Sequence, residues 1–138
     1  MRIVSRTAVS VREQEREKSM RKREAAGTLA TAFPRAEFVR VHLQFVSDRS
    51  PPLSPRTHSL YSSAQAYFEF SCPRGDCDAN IDLNPAAHAL LRNGETEASG
   101  TLHCSGTRTG DGGAPRRCNQ RVDYWIVARY RPVTRGAG

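Results

Sequence analysis

The residues with the most distinctive chemistry in this chain are its four cysteines. They are Cys72, Cys77, Cys104 and Cys118. Four thiols in a short basic chain usually bind one tetrahedral Zn²⁺ or form two disulfides, and cysteine pairs on tight turns offer two soft donors each. The pattern therefore predicts a structural zinc site built from all four thiols. The sequence leaves two alternatives open, which are two disulfides and thiols that share no ligand.

The two thiol pairs are spaced differently. Cys72 and Cys77 enclose four residues, which is the long end of the usual spacing in structural zinc sites. We expect Gly75 to adopt a positive φ there, so that backbone amides point at the sulfurs. Cys104 and Cys118 flank a segment rich in Gly and Arg. If the strands on either side pair as a hairpin, both thiols lie at one end of it, because lengthening a flexible loop costs little.

The histidines are poorer candidates for metal ligands than the thiols. His103 precedes Cys104 on an expected strand, and neighbouring strand residues point to opposite faces, so the two side chains do not converge. His88 lies on an expected helix, and we interpret it as a packing or surface residue. His42 and His58 are weaker candidates still.

Alternation of apolar and polar residues predicts the strands that would position the thiols. These strands are expected at residues 37–46, 64–71, 100–104 and 122–130. Residues 47–59 contain three prolines and are interpreted as a loop. Asn84 and Pro85 are typical of a helix start, and they predict a helix over residues 86–92. The order of elements indicates an α+β fold, an antiparallel sheet of about four strands with one short helix.

The net charge of +7 is concentrated near the N-terminus. Residues 1–35 contain nine Lys and Arg against four Asp and Glu, whereas residues 36–138 contain twelve against ten. A basic segment of this kind attracts phosphate groups or anionic lipid. The alternative is a solvated segment with no specific partner.

The chain is expected to divide into an arm, a domain and a tail. Residues 13–26 are strong helix formers with almost no apolar stripe, and such a helix is marginal without a partner. We therefore predict that residues 1–33 form a basic arm, disordered or transiently helical. Residues 34–132 are predicted to form the zinc-stabilised domain and residues 133–138 a tail. Met20 is an alternative start of the chain.

The sequence also bears on the compartment. No run of residues approaches the roughly 18 apolar residues that a membrane-spanning helix needs. The first residues lack the apolar centre of a signal peptide. The expectation is therefore a cytoplasmic protein, and thiols in that compartment stay reduced, which favours metal binding over disulfides.

The cysteine region resembles the zinc-ribbon group, in which two cysteine turns at strand ends hold one zinc ion. The Cys72-Pro73 step and the strand after Cys118 carry this resemblance, which spans residues 68–130. The chain departs from the pattern because neither pair is Cys-x-x-Cys, the last two cysteines are far apart, and a helix lies between the pairs. The sequence is also similar to small bacterial proteins of unassigned function with a Phe-x-Cys-Pro…Cys…Gly-Thr-Leu-x-Cys…Cys…Tyr pattern. The resemblance implies a zinc-ribbon-like cysteine cluster and no particular activity.

The chemistry of the site argues against catalysis. The sequence contains no nucleophile elbow, no phosphate-binding glycine loop and no His-Glu-x-x-His motif. Four thiolates fill the coordination shell of zinc, whereas a catalytic zinc keeps one position open for water or substrate. We therefore expect that the protein is not an enzyme and has no small-molecule substrate.

The sequence favours a zinc-binding module that contacts nucleic acid. A basic arm attracts phosphates regardless of base sequence, and aromatic rings near arginines on neighbouring strands would stack on bases. The candidate nucleic-acid-binding residues are Arg21, Lys22, Arg23, Arg40, Tyr67, Trp125 and Arg129. For Trp125, however, the expected position is the hydrophobic core. The alternative function is a protein–protein adaptor, of unknown process, whose zinc is purely structural.

Overall fold

The structure is a computed structural model that describes residues 8–46, 53–109 and 114–132. Its helices are α1 (Ala8–Ala25), α2 (Leu29–Ala32) and α3 (Asn84–Arg92). Its strands are β1 (Ala36–Val46), β2 (Arg56–Tyr61), β3 (Glu69–Ser71), β4 (Asn80–Asp82), β5 (Glu97–His103), β6 (Thr107–Arg108), β7 (Arg116–Arg117) and β8 (Arg121–Tyr130). None of the helices in the described ranges is long and apolar enough to cross a membrane.

The main sheet is built on the two longest strands, β1 and β8, which pair antiparallel over nearly their whole length. The sheet has four strands in the order β2-β1-β8-β5, and each neighbouring pair is antiparallel. Side chains alternate between its faces, so that Val39, Val41 and Ile126 are buried on the inner face. The predicted α+β fold, an antiparallel sheet of about four strands, is confirmed.

The core lies between the inner face of this sheet and α3. The helix begins with Asn84 and Pro85 and buries Ala87, Leu90 and Leu91. The carboxylate of Asp82 accepts a hydrogen bond of 2.9 Å from the backbone N–H of Asn84, which satisfies one of the amides at the helix start. α3 contacts both β5 and β8, so it covers the half of the sheet that carries the last two cysteines at its end.

One predicted loop and one predicted strand differ from the structure. The sheet contains β2, whose first four residues fall in the segment at 47–59 that was interpreted as a loop. Residues 47–52 of that segment are outside the described part. The strand pattern was not recognised because β2 is an edge strand that buries only Leu60. The strand predicted at residues 64–71 shortens to β3, because Ala66, Tyr67 and Phe68 are buried in succession rather than alternately. It was expected in the main sheet, but β3 pairs with β4 in a separate two-stranded sheet.

The N-terminal region contacts the rest of the protein. Ser19 of α1 donates a 2.7 Å hydrogen bond to the carboxylate of Glu69, and Arg23 donates one of 3.1 Å to the Glu69 carbonyl. Leu29 of α2 is fully buried in the core, although it precedes the predicted domain boundary at residue 33. The division into arm, domain and tail stays a prediction, and residues 1–7 and 133–138 lie outside the described ranges.

Candidate metal centre and exposed sheet face

The first two cysteines lie on a turn that follows β3. β3 leads directly into Cys72, and the backbone N–H of Cys77 closes the turn with a 3.1 Å hydrogen bond to the carbonyl of Arg74. The positive φ expected at Gly75 is wrong, since the described glycines with positive φ are Gly27 and Gly94. The turn therefore closes through an ordinary backbone hydrogen bond and needs no left-handed residue.

The other two cysteines lie where β5 ends and β8 begins. β5 and β8 pair antiparallel with His103 opposite Arg121, so both thiols are at the same end of the sheet, as predicted. The backbone N–H of Cys104 donates to the carbonyl of Gln120 at 2.9 Å, which extends the ladder past the last strand pair. The short hairpin of β6 and β7 follows. Cys118 lies directly after β7, and its backbone N–H donates a 2.8 Å hydrogen bond to the carbonyl of Gly106.

The four sulfurs form one cluster, with every Sγ within 4.8 Å of every other. The Sγ atoms of Cys72 and Cys118 are 3.6 Å apart, and so are those of Cys77 and Cys104. Four sulfurs at about 2.3 Å from a tetrahedral zinc would lie about 3.8 Å from one another, whereas a disulfide requires about 2.05 Å. None of the four is in a disulfide. The cluster could therefore hold a metal ion, and its geometry is consistent with a zinc-ribbon-like site.

Protonation of the thiols is coupled because the sulfurs lie so close together. A hydrogen bond with Cys72 lowers the pKa of Cys104 to about 5, although burial opposes this. The same hydrogen bond raises the pKa of Cys72, and burial raises the pKa of Cys77 to about 12. A thiolate on Cys104 thus disfavours further thiolates on Cys72 and Cys77, because like charges repel each other. A bound divalent cation would favour the thiolate form of every cysteine, since it attracts each negative charge.

Polar side chains around the cluster join the turn that carries the first two cysteines to the hairpin between the last two. Asp78 accepts a 2.7 Å hydrogen bond from the backbone N–H of Thr107, and Asp76 forms a 2.9 Å ion pair with Arg108. These carboxylates therefore fix the first cysteine turn against the β6–β7 hairpin. The bonds run between the two segments that carry the thiols, so they orient the sulfurs before any metal is bound.

Gln120 and Gly106 are supporting residues that the sequence analysis did not identify. Gln120 is 5% exposed; its amide nitrogen donates to the Val46 carbonyl at 2.9 Å, and its oxygen accepts from Arg74 at 2.8 Å. A Cβ on Gly106 would lie 2.6 Å from the sulfur of Cys77, so only glycine allows this close approach. The only sequence signal for them was their position, each two residues after a cysteine.

The histidines lie apart from the sulfurs in the described structure, as expected. His103 is exposed on the outer face of the sheet, while Cys104 is buried. His88 contacts the rings of Phe33 and Phe68, and its Nε2 is 3.2 Å from the carbonyl of Ala66. His88 is therefore a packing residue.

The outer face of the sheet brings together three of the predicted nucleic-acid-binding residues, Arg40, Trp125 and Arg129. The expectation that Trp125 lies in the core is wrong, because its side chain is 47% exposed. The alternation of β8 explains this position, since Ile126 and Ala128 point inward and Trp125 points outward. Trp125 stacks on His42 of β1, with ring centroids 5.2 Å apart.

The remaining predicted residues lie elsewhere. Tyr67 is 6% exposed, bonds to the carboxylate of Glu69 and is covered by the guanidinium of Arg23 at 5.2 Å from its ring centroid, so its ring face is not open for stacking. Arg21 and Lys22 are exposed on α1. The sequence analysis missed Phe38 and Tyr61, whose rings pair on the outer face with centroids 5.4 Å apart. Their signal was their place in the alternating pattern of β1 and β2.

Comparison with known proteins gives no relatives for this arrangement. No protein-family model, curated protein or solved structure matches the chain. The site must therefore be interpreted from its own geometry.

Proposed function

We propose that this protein is a non-enzymatic zinc-binding module that contacts single-stranded nucleic acid through the outer face of its sheet and the basic side of α1. The observation that carries the proposal is the exposed stack of Trp125 on His42, bordered by arginines, on a sheet whose end carries four clustered thiols. We further propose that it acts in the cytoplasm, where thiols stay reduced.

The choice of zinc rests on the donor set. Thiolate ligands select zinc, copper(I) or iron–sulfur clusters, and a closed tetrahedral site of four cysteines is typical of structural zinc. The Cys72–Cys118 and Cys77–Cys104 sulfur–sulfur distances, both 3.6 Å, are close to the edge of such a tetrahedron. When bound, the metal would neutralise most of the thiolate charge and supply folding energy.

The position of the cluster supports a structural role for the metal. The Cys72–Cys118 and Cys77–Cys104 contacts each join a thiol of the first turn to a thiol beside β5 or β8. A metal ion there would fasten the turn at residues 72–77 to the end of the main sheet. Four sulfurs would leave no coordination position for water, which is the reason we propose no catalysis at this site.

The outer sheet face has the features of a stacking platform for bases. Trp125 and His42 form one cross-strand row, and Phe38 lies on the same face with Arg40 at 4.9 Å and Arg129 at 5.9 Å from its ring centroid. Every base has a π-face, so stacking on such rings tolerates any base sequence and contributes about 1–3 kcal/mol per base. Guanidinium groups beside the rings would attract the phosphates that accompany the bases.

The helix α1 would add attraction without base contacts. Arg21 and Lys22 are exposed in its C-terminal half. Basic side chains of this kind release condensed counterions from the nucleic acid, which strengthens binding at low salt for all base sequences alike.

Metal analysis and one substitution test the proposal. We expect about one zinc per chain in protein purified under reducing conditions. Trp125→Ala should weaken binding of oligothymidine by about 5- to 150-fold, which corresponds to about 1–3 kcal/mol for a lost stacking contact, and leave the salt dependence unchanged. Because Trp125 is about half exposed, Trp125→Ala should cost less than about 1.5 kcal/mol of stability and leave the protein folded, and Trp125→Phe should retain part of the affinity.

Two results would contradict this proposal. Metal-free protein whose cysteine end stays as ordered as the main sheet under reducing conditions would contradict the structural zinc. No binding of any oligonucleotide at low salt would remove the nucleic-acid part. The second candidate function, a protein–protein adaptor, would then be favoured, because β2 and β5 each pair on one side only in the described sheet. Such edges offer backbone groups to a partner strand.

A further inference from the structure

A cleft lined by arginines lies at the end of the sheet that carries the cysteine cluster. It encloses about 620 Å³ and is lined by five arginines and one histidine, with no acidic side chain among its described lining residues. The arginines are Arg74, Arg108, Arg116, Arg117 and Arg121. None of them is among the nucleic-acid-binding residues that the sequence predicted.

Not all of this charge is available to a ligand. Arg108 is paired with Asp76 at 2.9 Å, and Arg121 with Asp123 at 3.2 Å. Four thiolates around a divalent ion would also carry a net negative charge close to the cleft. Arg116 and Arg117 differ from the paired arginines because both are exposed on β7 and neither has an acidic partner within the described ranges.

The cleft continues into the outer face of the main sheet. Val46, Arg121 and His103 line the cleft and also form the last cross-strand row of that face. Along β8 the outward side chains run from Arg121 past Asp123 to Trp125. At about 3.3 Å per strand residue, the first and last of these are about 13 Å apart, a distance that a few nucleotides of single strand can span.

We propose that the arginine cleft binds the phosphodiester backbone of the same single strand whose bases stack on Trp125, an inference that rests on the function proposed above. Arg116 and Arg117 are the principal phosphate ligands. Their planar guanidinium groups donate two parallel hydrogen bonds to a phosphate, which a lysine cannot do. The carboxylate of Asp123 lies on this path, but it accepts a hydrogen bond from Thr101 at 2.8 Å and is paired with Arg121 at 3.2 Å, which offsets its negative charge.

The experiment compares two double variants of the full-length zinc-loaded protein with equal loss of charge. In Arg116→Gln/Arg117→Gln the change lies in the cleft, and in the control Arg35→Gln/Arg92→Gln it lies at the opposite end of the sheet, beside Tyr130. The probe is an oligothymidine of about 12 nucleotides, within the footprint of known single-strand-binding modules. Affinity is measured by fluorescence anisotropy over a series of salt concentrations.

We expect the cleft variant to lower the slope of log affinity against log salt by about 1.4, because each lost phosphate contact lowers it by about 0.7. Its affinity at low salt should fall by about fivefold or more, while the control variant changes the slope by less than half as much. The charge-conserving variant Arg116→Lys/Arg117→Lys should retain the slope. Equal effects of the cleft and control variants would overturn the proposal, as would loss of the slope in the lysine variant.

Further measurements separate this proposal from its alternatives. If the cleft variant loses metal without any change in slope, these arginines only offset the thiolate charge, and the proposal fails. If the cleft variant abolishes binding to phosphatidylserine vesicles but not to the oligonucleotide, the ligand is a lipid surface, and the proposal also fails. If Trp125→Ala has no effect while the cleft variant lowers the slope, the phosphate site stands and the stacking platform fails. If Trp125→Ala weakens binding while the cleft variant leaves the slope unchanged, the stacking platform stands and the proposed phosphate site in the cleft fails.

Discussion

The part of the molecule beneath α3 and the part around the four thiols bury different kinds of side chain. Beneath α3 the core is apolar, and Val41, Leu90 and Ile126 are at most 2% exposed. At the cysteine end, the buried residues include Cys77 and Cys104, and hydrogen bonds join the chain segments there. The strands also differ, since β1 and β8 are long while β6 and β7 have two residues each.

This difference leads us to expect that the cysteine end, and not the main sheet, depends on metal. Burial of apolar surface stabilises the sheet and α3 without any ligand. Two-residue strands bury too little surface to be stable by themselves. The cysteine end therefore needs another source of stability, and metal binding by its thiols is the one that its geometry offers.

Metal removal is expected to have the largest effect on stability, and it should destabilise the cysteine end much more than the main sheet. Chelation under reducing conditions should lower the local free energy of opening around Cys104 and Cys118 by more than about 5 kcal/mol, because the binding energy of structural zinc is folding energy. Amide hydrogen exchange measures this opening. The amides at the centre of β1 and β8 should keep most of their protection. A uniform loss of protection in both parts would contradict the comparison.

Truncation of an aromatic ring in the apolar core should destabilise the main sheet and leave metal binding at the cysteine end intact. Phe68 is fully buried, and we expect Phe68→Ala to lower the free energy of unfolding by about 3–5 kcal/mol. The matched control is Phe38→Ala, which removes a half-buried ring from the outer face and should cost less than about 1.5 kcal/mol. Urea unfolding followed by circular dichroism gives both values. The folded Phe68→Ala protein should still bind about one metal ion per chain, and loss of that ion would show that the two parts are coupled.

A methyl group at Gly106 should disturb the cysteine end alone. In Gly106→Ala the new Cβ would lie 2.6 Å from the Cys77 sulfur, so the thiol must move. We expect metal affinity to fall by about 10- to 100-fold, as for other changes to groups that orient metal ligands. Gly75→Ala is the control, because a Cβ there meets no atom within 4 Å. Competition with a chromophoric chelator measures the affinity, and equal affinities of the two variants would show that the close approach is unimportant.

The smallest expected effect concerns the contact between α1 and β3, and it depends on pH. Burial tends to raise the pKa of Glu69, but hydrogen bonds from Tyr67, Ser19 and Asn80 outweigh it and lower the pKa. Its stabilising contribution is therefore present above the unfolded value of about 4.3 and is lost as the pH falls through the lower folded value. Glu69→Gln should cost at most about 1 kcal/mol at pH 7.

The measurement is the difference in melting temperature between wild type and Glu69→Gln across this pH range. Both proteins lose metal alike in acid, so the difference isolates the carboxylate. The control is Glu97→Gln, an exposed glutamate on β5. A difference that grows as the pH falls would contradict the assignment.

The sheet and the thiol cluster could be predicted from the sequence to different degrees. The alternation in β1 and β8 predicted both strands, because each buries every second side chain. Edge strand β2 escaped prediction because it follows a proline-rich segment and buries a single residue, Leu60. The burial of Leu29 also could not be predicted, since a lone leucine in a polar region has no periodic pattern.

Local sequence was enough to infer the α+β class, the α3 helix and the four thiols as candidate metal ligands, because these follow from periodicity, capping residues and side-chain chemistry. The tertiary packing determines that Trp125 is exposed while Tyr67 is buried, because the alternation along β8 does not say which face α3 covers, and Tyr67 lies outside the strands, before β3. It also determines that Arg116 and Arg117 face the same cleft as Arg74. Residues so distant in sequence meet only when the pairing of β5 with β8 brings the cysteine turns together.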